Sequence, residues 1–219
     1  MKVTKIEPTM KLEKELLRQG KERVAGIDEA GMGSLAGPLI AAAVVFSKDP
    51  EINGINDSKK LSPKKREKLY DIIQERADYI GIGVVSVSII DELNVYWADR
   101  KAMIQAVKEI LPPPDYLLID GNKPLNINIE QQSIVKGDGK CVSIAAASII
   151  AKVTRDRIMI QYDEKYPEYD FIHNKGYRSW KHLQALEEYG PTILHRANFI
   201  DVKRCSAKYY LENGGKDIG

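Results

Sequence analysis

Residues 23–46 read RVAGIDEAGMGSLAGPLIAAAVVF. Two strand-like runs, 23–28 with an apolar centre and 39–46 apolar throughout, flank the segment 29–37, which contains three glycines. Short apolar runs bounded by glycine and proline are typical of buried β-strands. We therefore predict two consecutive strands joined by a wide, glycine-containing turn, with Asp28 and Glu29 where the first strand ends.

Outside this pair the sequence alternates between helical and strand patterns. The patterns predict helices over 9–20, 64–77, 91–111, 142–162 and 179–189, and strands over 79–87, 116–120 and 133–136. Glycines inside the strand 79–87 indicate that another element packs closely on its backbone. From about residue 203 the polar sequence predicts fraying. This alternation over 219 residues predicts one α/β domain.

The composition excludes several classes of protein. The chain has 33 Lys and Arg against 31 Asp and Glu, with 43% hydrophobic residues, so we expect neither a disordered chain nor a uniformly basic nucleic-acid coat. Two cysteines and three histidines are too few for a disulfide framework or a zinc cluster. The apolar run 39–46 is too short for a membrane span, and residues 1–14 lack the apolar core of a signal peptide. We predict a cytoplasmic protein with no membrane partner.

Acidic residues end three of the strand-like runs: Asp28 with Glu29, then Asp120, then Asp138. A single acid after a strand is usually a turn former or a cap. Several acids at one sheet edge repel each other, however, and this repulsion requires a cation. Carboxylate ligands without His or Cys select Mg²⁺ or Mn²⁺ over zinc. The pattern therefore predicts a two-metal site suited to phosphodiester hydrolysis.

Other features favour a nucleic-acid ligand. The glycine segment 31–37 does not fit a dinucleotide-binding motif, because its third glycine is one residue late and a strand follows. It would instead allow a ligand to approach the backbone beside the acids. The stretch 57–68 carries six basic and two acidic residues. Tyr177, among hydrogen-bond donors, can stack on a sugar or base. A solvated charged face and a surface-packing tyrosine stay open as alternatives.

Several blocks of the sequence resemble, in order, the motifs of ribonuclease HII, the type 2 ribonuclease H family, in its bacterial branch. The blocks are GIDEAGMGSLAGP (26–38), DSKKLS (57–62), LIDG (118–121), KGD (136–138), AAASIIAKVTRD (145–156), HNKGY (173–177) and LHR (194–196) followed by Phe199. Together they extend across roughly residues 22–202, nearly the whole chain.

The resemblance implies an α/β, ribonuclease H-like fold in a single domain over 1–219: a five-stranded mixed sheet flanked by helices, with a C-terminal helical extension over about 179–219. It implies hydrolysis of the RNA strand of RNA–DNA hybrids and cleavage on the 5′ side of ribonucleotides embedded in duplex DNA, leaving 3′-hydroxyl and 5′-phosphate ends. The cellular role would be removal of misincorporated ribonucleotides and RNA primers. The alternatives are an inactive hybrid-binding protein and a DNA-cutting nuclease of the same fold.

The resemblance also implies roles for individual residues. The catalytic and metal-binding acids would be Asp28, Glu29, Asp120 and Asp138. Asp156 competes for the fourth place, but its position between two arginines favours a structural ion pair. The implied substrate-binding residues are Gly31, Met32, Gly33, Lys59, Ser148, Lys152 and Tyr177. Among these, Tyr177 would stack near the ribonucleotide and sense its 2′-hydroxyl.

One residue departs from the family pattern. The family usually has Gly-Arg-Gly where this chain has Gly31-Met32-Gly33, and methionine supplies neither charge nor a hydrogen-bond donor. We expect hydrolysis to persist, with weaker preference for RNA–DNA junctions. The tail segment 209–211 (YYL) lacks the upstream glutamine of a sliding-clamp peptide, so no clamp partner is predicted, and we expect a monomer.

Overall fold

The computed structural model describes residues 7–213. Within this range the chain forms five strands and eight α-helices. The strands are β1 (Val24–Ala30), β2 (Leu39–Val45), β3 (Tyr79–Val85), β4 (Tyr116–Asp120) and β5 (Glu130–Ile134). The helices are α1 (Lys11–Arg18), α2 (Pro63–Arg76), α3 (Val87–Leu93), α4 (Val95–Lys108), α5 (Val142–Asp163), α6 (Phe171–Asn174), α7 (Trp180–Tyr189) and α8 (Ile200–Glu212). Short 3-10 turns occur at Ser58–Lys60, Gly137–Gly139 and Pro167–Tyr169.

All five strands form one mixed sheet in the order β3-β2-β1-β4-β5. Strand β1 is antiparallel to β2 and parallel to β4, and β4 is parallel to β5. Every residue of β2 is buried, which explains its unbroken apolar sequence. The predicted fold class, a five-stranded mixed sheet flanked by helices with a C-terminal helical extension, is confirmed.

The two predicted opening strands pair with each other, Glu29 opposite Ala41. Strand β1 continues through Ala30, however, two residues past its predicted end. Asp28 and Glu29 therefore belong to the strand and not to the turn after it. Because side chains alternate along a strand, the two carboxylates start from opposite faces of the sheet.

The predicted close packing on the third strand is also confirmed. A Cβ atom added at Gly83 would lie 1.9 Å from the carbonyl oxygen of Ala102, and one at Gly81 would lie 2.0 Å from that of Ala106. Helix α4 thus rests directly on the backbone of β3. A side chain at either glycine would push the helix away from the sheet.

Three predicted elements differ from the structure. The single helix over 91–111 is wrong, because Ser86 caps a separate helix α3 and Asn94, at φ 66°, breaks the chain before α4. The strand predicted at 133–136 is instead β5, which is largely polar and lies at the sheet edge. The N-terminal helix predicted over 9–20 is shorter, because residue 9 forms a β-bridge with residue 141.

The fraying predicted from residue 203 is wrong up to Glu212, the last residue of α8. That helix buries Val202 and Cys205 in an apolar cluster with Phe171 and Leu186. The prediction for the residues after 213 lies outside the described range. The sequence misled here because only a few apolar residues hold this helix in place.

The chain divides into two compact units. Of the described residues, the first contains 7–30, 40–84 and 99–153, and the second contains 31–39, 85–98 and 154–213. The sheet core belongs to the first unit, and the cluster around Phe171 is the core of the second. Between residues 7 and 213, no helix is both long and apolar enough to cross a membrane. The single-domain prediction over 1–219 stays a prediction.

Candidate active site

Two strands deliver acids to the same edge of the sheet. Ile27 of β1 pairs with Ile119 of the parallel strand β4. Asp28 and Asp120 are the next residues along these two strands. Since the ends of parallel strands meet at one edge, the pairing places the two carboxylates side by side.

The turn after β5 brings in Asp138. Lys136, at φ 56°, turns the chain into the 3-10 turn Gly137–Gly139. The Gly137 N–H donates to Oδ1 of Asp120 at 2.6 Å, so the turn is attached to the end of β4. Asp138 follows directly and is buried. The predicted acids of β1, β4 and this turn are therefore gathered in the first unit.

Burial and mutual repulsion shift the pKa values of these acids upward. Burial, then the charges of Glu29 and Asp120, raise the pKa of Asp28 well above its usual value. The pKa of Glu29 rises to about 7, through burial first and the charge of Asp99 second. Burial and then Asp57 raise the pKa of Asp138 to about 6. The carboxylates are thus close enough to raise one another's pKa values.

A lysine faces this acidic group. Lys59 belongs to the turn 58–60, where its N–H donates to Oδ1 of Asp57 at 2.9 Å. Burial acts to lower the pKa of Lys59, but the carboxylates around it, Asp28 foremost, raise it overall. Its ammonium is therefore held as a cation beside the acids.

The other two residues predicted here lie on α5. Ser148 is buried and donates from Oγ to Oγ of Ser58 at 2.8 Å, which fastens the turn carrying Lys59. Lys152 follows one helical turn later on the same face. Asp57 and Asp99, whose charges act on Asp138 and Glu29, were not predicted as site residues, although Asp57 begins the DSKKLS block.

The acids fit a divalent cation by chemistry and charge. All donors are carboxylate oxygens, which Mg²⁺ and Mn²⁺ prefer. Burial raises the pKa values of Asp28, Glu29 and Asp138, and neighbouring acids raise them further. A divalent cation would relieve this second contribution, the repulsion. Among residues 7–213, however, no group of three or more His, Cys, Asp or Glu side chains is arranged so that it could hold a metal ion. The acids thus lie near one another in the described structure but do not converge on a single metal position.

The glycine loop between β1 and β2 belongs to the second unit, and Arg196 holds it through its main chain. The Arg196 guanidinium donates to the carbonyl oxygens of Met32 at 3.1 Å and Gly37 at 3.0 Å. Arg196 is fully buried, whereas the Met32 side chain is 37% exposed. The backbone at residue 32 is therefore anchored while its side chain faces solvent.

A second buried arginine, Arg155, connects this loop with the predicted substrate-sensing tyrosine. Its Nε donates to the Pro38 carbonyl at 2.9 Å, and its Cζ lies 5.0 Å from the centre of the Tyr177 ring. Gly31 has φ 99°, and a Cβ there would lie 2.2 Å from the Arg155 Nε. Only glycine therefore suits position 31.

Two buried histidines fix the backbone of Tyr177. Nδ1 of His195 accepts the Thr192 N–H at 2.9 Å, so its proton is on Nε2, which lies 3.0 Å from Nε2 of His182. His182 then carries its own proton on Nδ1 and donates it to the Tyr177 carbonyl at 3.0 Å. Burial, then the neighbouring His182, lower the pKa of His195 to about 3. Both imidazoles are therefore neutral at physiological pH.

The predicted site residues thus form two groups, each inside one unit. The acids, Lys59, Ser148 and Lys152 belong to the first, and Gly31, Met32, Gly33 and Tyr177 belong to the second. Asp156, the competing fourth acid, is buried on α5 in the second unit. The supporting role of the buried arginines and histidines was not predicted, although Arg155 lies in the AAASIIAKVTRD block and His195 and Arg196 lie in the LHR block; His182 lies outside these blocks.

Comparisons with known proteins show the family of this chain. The family model described as Ribonuclease HII matches residues 25–202. Ribonuclease HII of Acetivibrio thermocellus is 54% identical over 187 residues, covering 85% of this chain and 73% of that protein. The crystal structure of ribonuclease H2 from Pyrococcus horikoshii is 28% identical, with a TM-score of 0.74 over 85% of this chain and 98% of that one.

A more distant structure shares the fold. Bst-RNase HIII in complex with Mn²⁺ is 19% identical, with a TM-score of 0.64 over 86% of this chain and 70% of that one. The family model spans most of the chain, and the curated relative is matched over most of its own length. The chain belongs to the ribonuclease HII family and is a type 2 ribonuclease H.

Proposed function

We propose that this ribonuclease H hydrolyses the RNA strand of RNA–DNA hybrids and cuts on the 5′ side of ribonucleotides embedded in duplex DNA. The observation that carries the proposal is the gathering of Asp28, Asp120 and Asp138 beside Glu29 at one edge of the sheet. The products would be a 3′-hydroxyl and a 5′-phosphate. In the cell, the protein would act as a cytoplasmic monomer that removes misincorporated ribonucleotides and RNA primers.

The four acids would hold two divalent cations, Mg²⁺ or Mn²⁺. When bound, such cations activate a water molecule and stabilise the departing 3′ oxygen. The Mn²⁺ complex of Bst-RNase HIII is consistent with this choice of metal. Asp120 also accepts the Gly137 N–H, which orients its carboxylate and keeps Asp138 in place.

The basic residues of the first unit would contact the substrate backbone. Lys59 stays charged beside the acids, which suits a contact with a phosphate oxygen. Ser148 keeps the turn of Lys59 in position through Ser58. Lys152, on the same face of α5, would add a second phosphate contact.

Recognition of the ribonucleotide would come from the second unit. Tyr177 is positioned by Arg155 against its ring and by His182 at its carbonyl. The ring would stack on the ribonucleotide, and the hydroxyl would sense the 2′-hydroxyl. The main chain at Gly31 and Gly33 would provide further contacts to the substrate.

The test compares three duplexes in Mg²⁺ and in Mn²⁺: one with a single embedded ribonucleotide, one uniform RNA–DNA hybrid and one all-deoxy duplex. We expect both ribonucleotide-containing substrates to be cut, the first on the 5′ side of the ribonucleotide, and the all-deoxy duplex to stay intact. Asp120→Asn should bind substrate without cutting it. Binding without metal-dependent cleavage by the parent would indicate a hybrid-binding protein, and cleavage of the all-deoxy duplex would indicate a DNA nuclease.

A further inference from the structure

Asp91 of helix α3 binds the chain directly after Arg196. Its Oδ2 accepts the N–H of Ala197 at 3.0 Å, and its Oδ1 accepts the N–H of Asn198 at 3.2 Å. The Asn198 side chain donates in return from Nδ2 to the Asp91 carbonyl oxygen at 2.9 Å. These hydrogen bonds join α3 to the turn that follows Arg196.

The same turn is attached to the glycine loop, residues 31–37. The Arg196 N–H donates to the Leu35 carbonyl oxygen at 2.8 Å. Its guanidinium donates twice to the Gly37 carbonyl oxygen, from Nε at 3.2 Å and from Nη2 at 3.0 Å. The Gly37 N–H donates in the other direction, to the Leu194 carbonyl oxygen at 2.8 Å. The position of the loop therefore depends on the position of the turn.

Asp91 also acts on Arg196 through its charge. Burial and then the charge of Arg155 lower the pKa of Arg196 to about 9, whereas the Asp91 carboxylate acts in the opposite direction. A charged guanidinium makes shorter and stronger hydrogen bonds to carbonyl oxygens than a neutral donor does. Asp91 therefore fixes the turn and favours the charged form of the arginine that holds the loop.

We propose that Asp91 is a positioning residue for substrate binding, which acts through the turn after Arg196 to hold the main chain of residues 31–33 where it contacts the ribonucleotide-containing strand. The inference rests on the proposed function, in which that main chain contacts the substrate. The cation-binding acids belong to the first unit and Asp91 to the second. Loss of Asp91 should therefore weaken substrate binding and leave the chemical step nearly unchanged.

The first experiment is amide hydrogen exchange of the full-length protein without substrate or metal. Asp91→Asn keeps the size of the side chain but removes its charge and one of its two acceptor oxygens. We expect the N–H groups of residues 34–37, which are hydrogen-bonded in the parent, to exchange about tenfold faster. Glu92→Gln is the matched control, because Glu92 is the next residue of α3, is exposed and loses the same charge. The control should exchange as the parent does.

The second experiment measures the effect on the substrate. On a duplex with one embedded ribonucleotide, Asp91→Asn should raise KM about tenfold and keep kcat within about twofold. Asp91→Glu, which keeps the charge and both acceptors, should recover part of the loss. In the Asp120→Asn background, the Kd of the same duplex should rise by the same factor as KM. A role in folding alone would instead reduce the active fraction, which lowers kcat at unchanged KM.

The outcomes distinguish this inference from the proposed function. Faster exchange in the loop together with a higher KM supports the role of Asp91. Unchanged exchange in the loop, a KM within twofold of the parent or a fall in kcat alone would overturn it, while cleavage by the parent would still uphold the proposed function. If the parent cuts no ribonucleotide-containing duplex in Mg²⁺ or Mn²⁺, the proposed function fails, and the role of Asp91 in substrate binding fails with it.

Discussion

The Arg155 guanidinium lies against the Tyr177 ring, its Cζ 5.0 Å from the ring centre, and the same group donates to the Lys175 carbonyl at 2.8 Å. One buried side chain thus contacts both the aromatic ring and the chain leading to it. A cation over an aromatic face contributes about 0.5–2 kcal/mol, depending on its burial. The position of Tyr177 is therefore set from inside the second unit.

Replacing Arg155 should strongly destabilise the protein. Arg155→Met leaves several buried carbonyl oxygens without a donor, so we expect a loss on the order of 3–5 kcal/mol in the free energy of unfolding. Arg178→Met is the matched control, because Arg178 makes an exposed ion pair with Asp201. Its effect should stay below about 1 kcal/mol. Equal losses in urea unfolding would contradict the support role of Arg155.

The histidine pair should make the protein sensitive to acid. The unfolded chain binds a proton at His195 below about pH 6.5, whereas folded His195, with its pKa lowered to about 3, does not. The contribution of this group to stability is therefore complete above about pH 6.5 and is lost as the pH falls toward 3. Between pH 7.5 and 5, the parent should lose about 2 kcal/mol more than His195→Gln. Parallel stability curves for the two proteins would rule this out.

The acids of the first unit should act in the opposite direction. Folded Glu29 and Asp138, with pKa values raised to about 7 and about 6, bind protons that the unfolded chain has released. Their contribution to stability is thus present below about pH 4 and is lost as the pH rises to about 7. In EDTA, Glu29→Gln should lose less unfolding free energy than the parent between pH 5 and 7.5. Mg²⁺ should reduce the loss in the parent. The measurement is chemical unfolding at pH 5 and 7.5; a loss in Glu29→Gln equal to that of the parent would count against it.

Residue 32 should control preference among substrates. Met32→Arg restores a charged donor on an exposed side chain, and a charge-assisted contact contributes about 1.5–3 kcal/mol. We expect kcat/KM to rise about tenfold on a duplex with one embedded ribonucleotide and less on a uniform hybrid. Met32→Leu, which adds no charge, should match the parent. An equal rise on both substrates would show that the residue does not read the RNA–DNA junction.

The identity of the fourth acid can be decided by a pair of variants. Asp138→Asn should lower kcat by at least about 100-fold, because it removes one of the four carboxylates proposed to bind the cations. Asp156→Asn should keep most of kcat and lower the melting temperature, as expected for a buried structural acid. The reverse pattern would give the fourth place to Asp156.

Most of the fold was predictable where a strand is buried on both faces. Strands β2 and β4 are nearly continuous apolar runs, and the ends of both match their predicted positions within one residue. The bounds of strand β5 were predicted wrongly, at 133–136, because the strand lies at the sheet edge, where Glu130 and its polar neighbours are tolerated. The boundary between α3 and α4 depends on the positive φ of Asn94. It could not be predicted, because no glycine or proline marks it in the sequence.

The candidate site was predictable where an acid lies in or at the end of a strand, because strand pairing then decides its neighbours. Asp28 and Asp120 are of this kind. Arg155 is not, because it lies within a helix whose sequence pattern shows burial but not the group that the side chain meets. Its role depends on contacts between residues far apart in the chain.

The loop after β1 is held by buried guanidinium groups at its carbonyl oxygens, which every amino acid possesses. Its path therefore does not depend on which side chain occupies residue 32. A substitution at residue 32 can change the exposed surface there while the arginine contacts to the loop backbone stay intact. Position 32 can accordingly be substituted at little cost to folding, and under the proposed function such substitutions would change substrate preference alone.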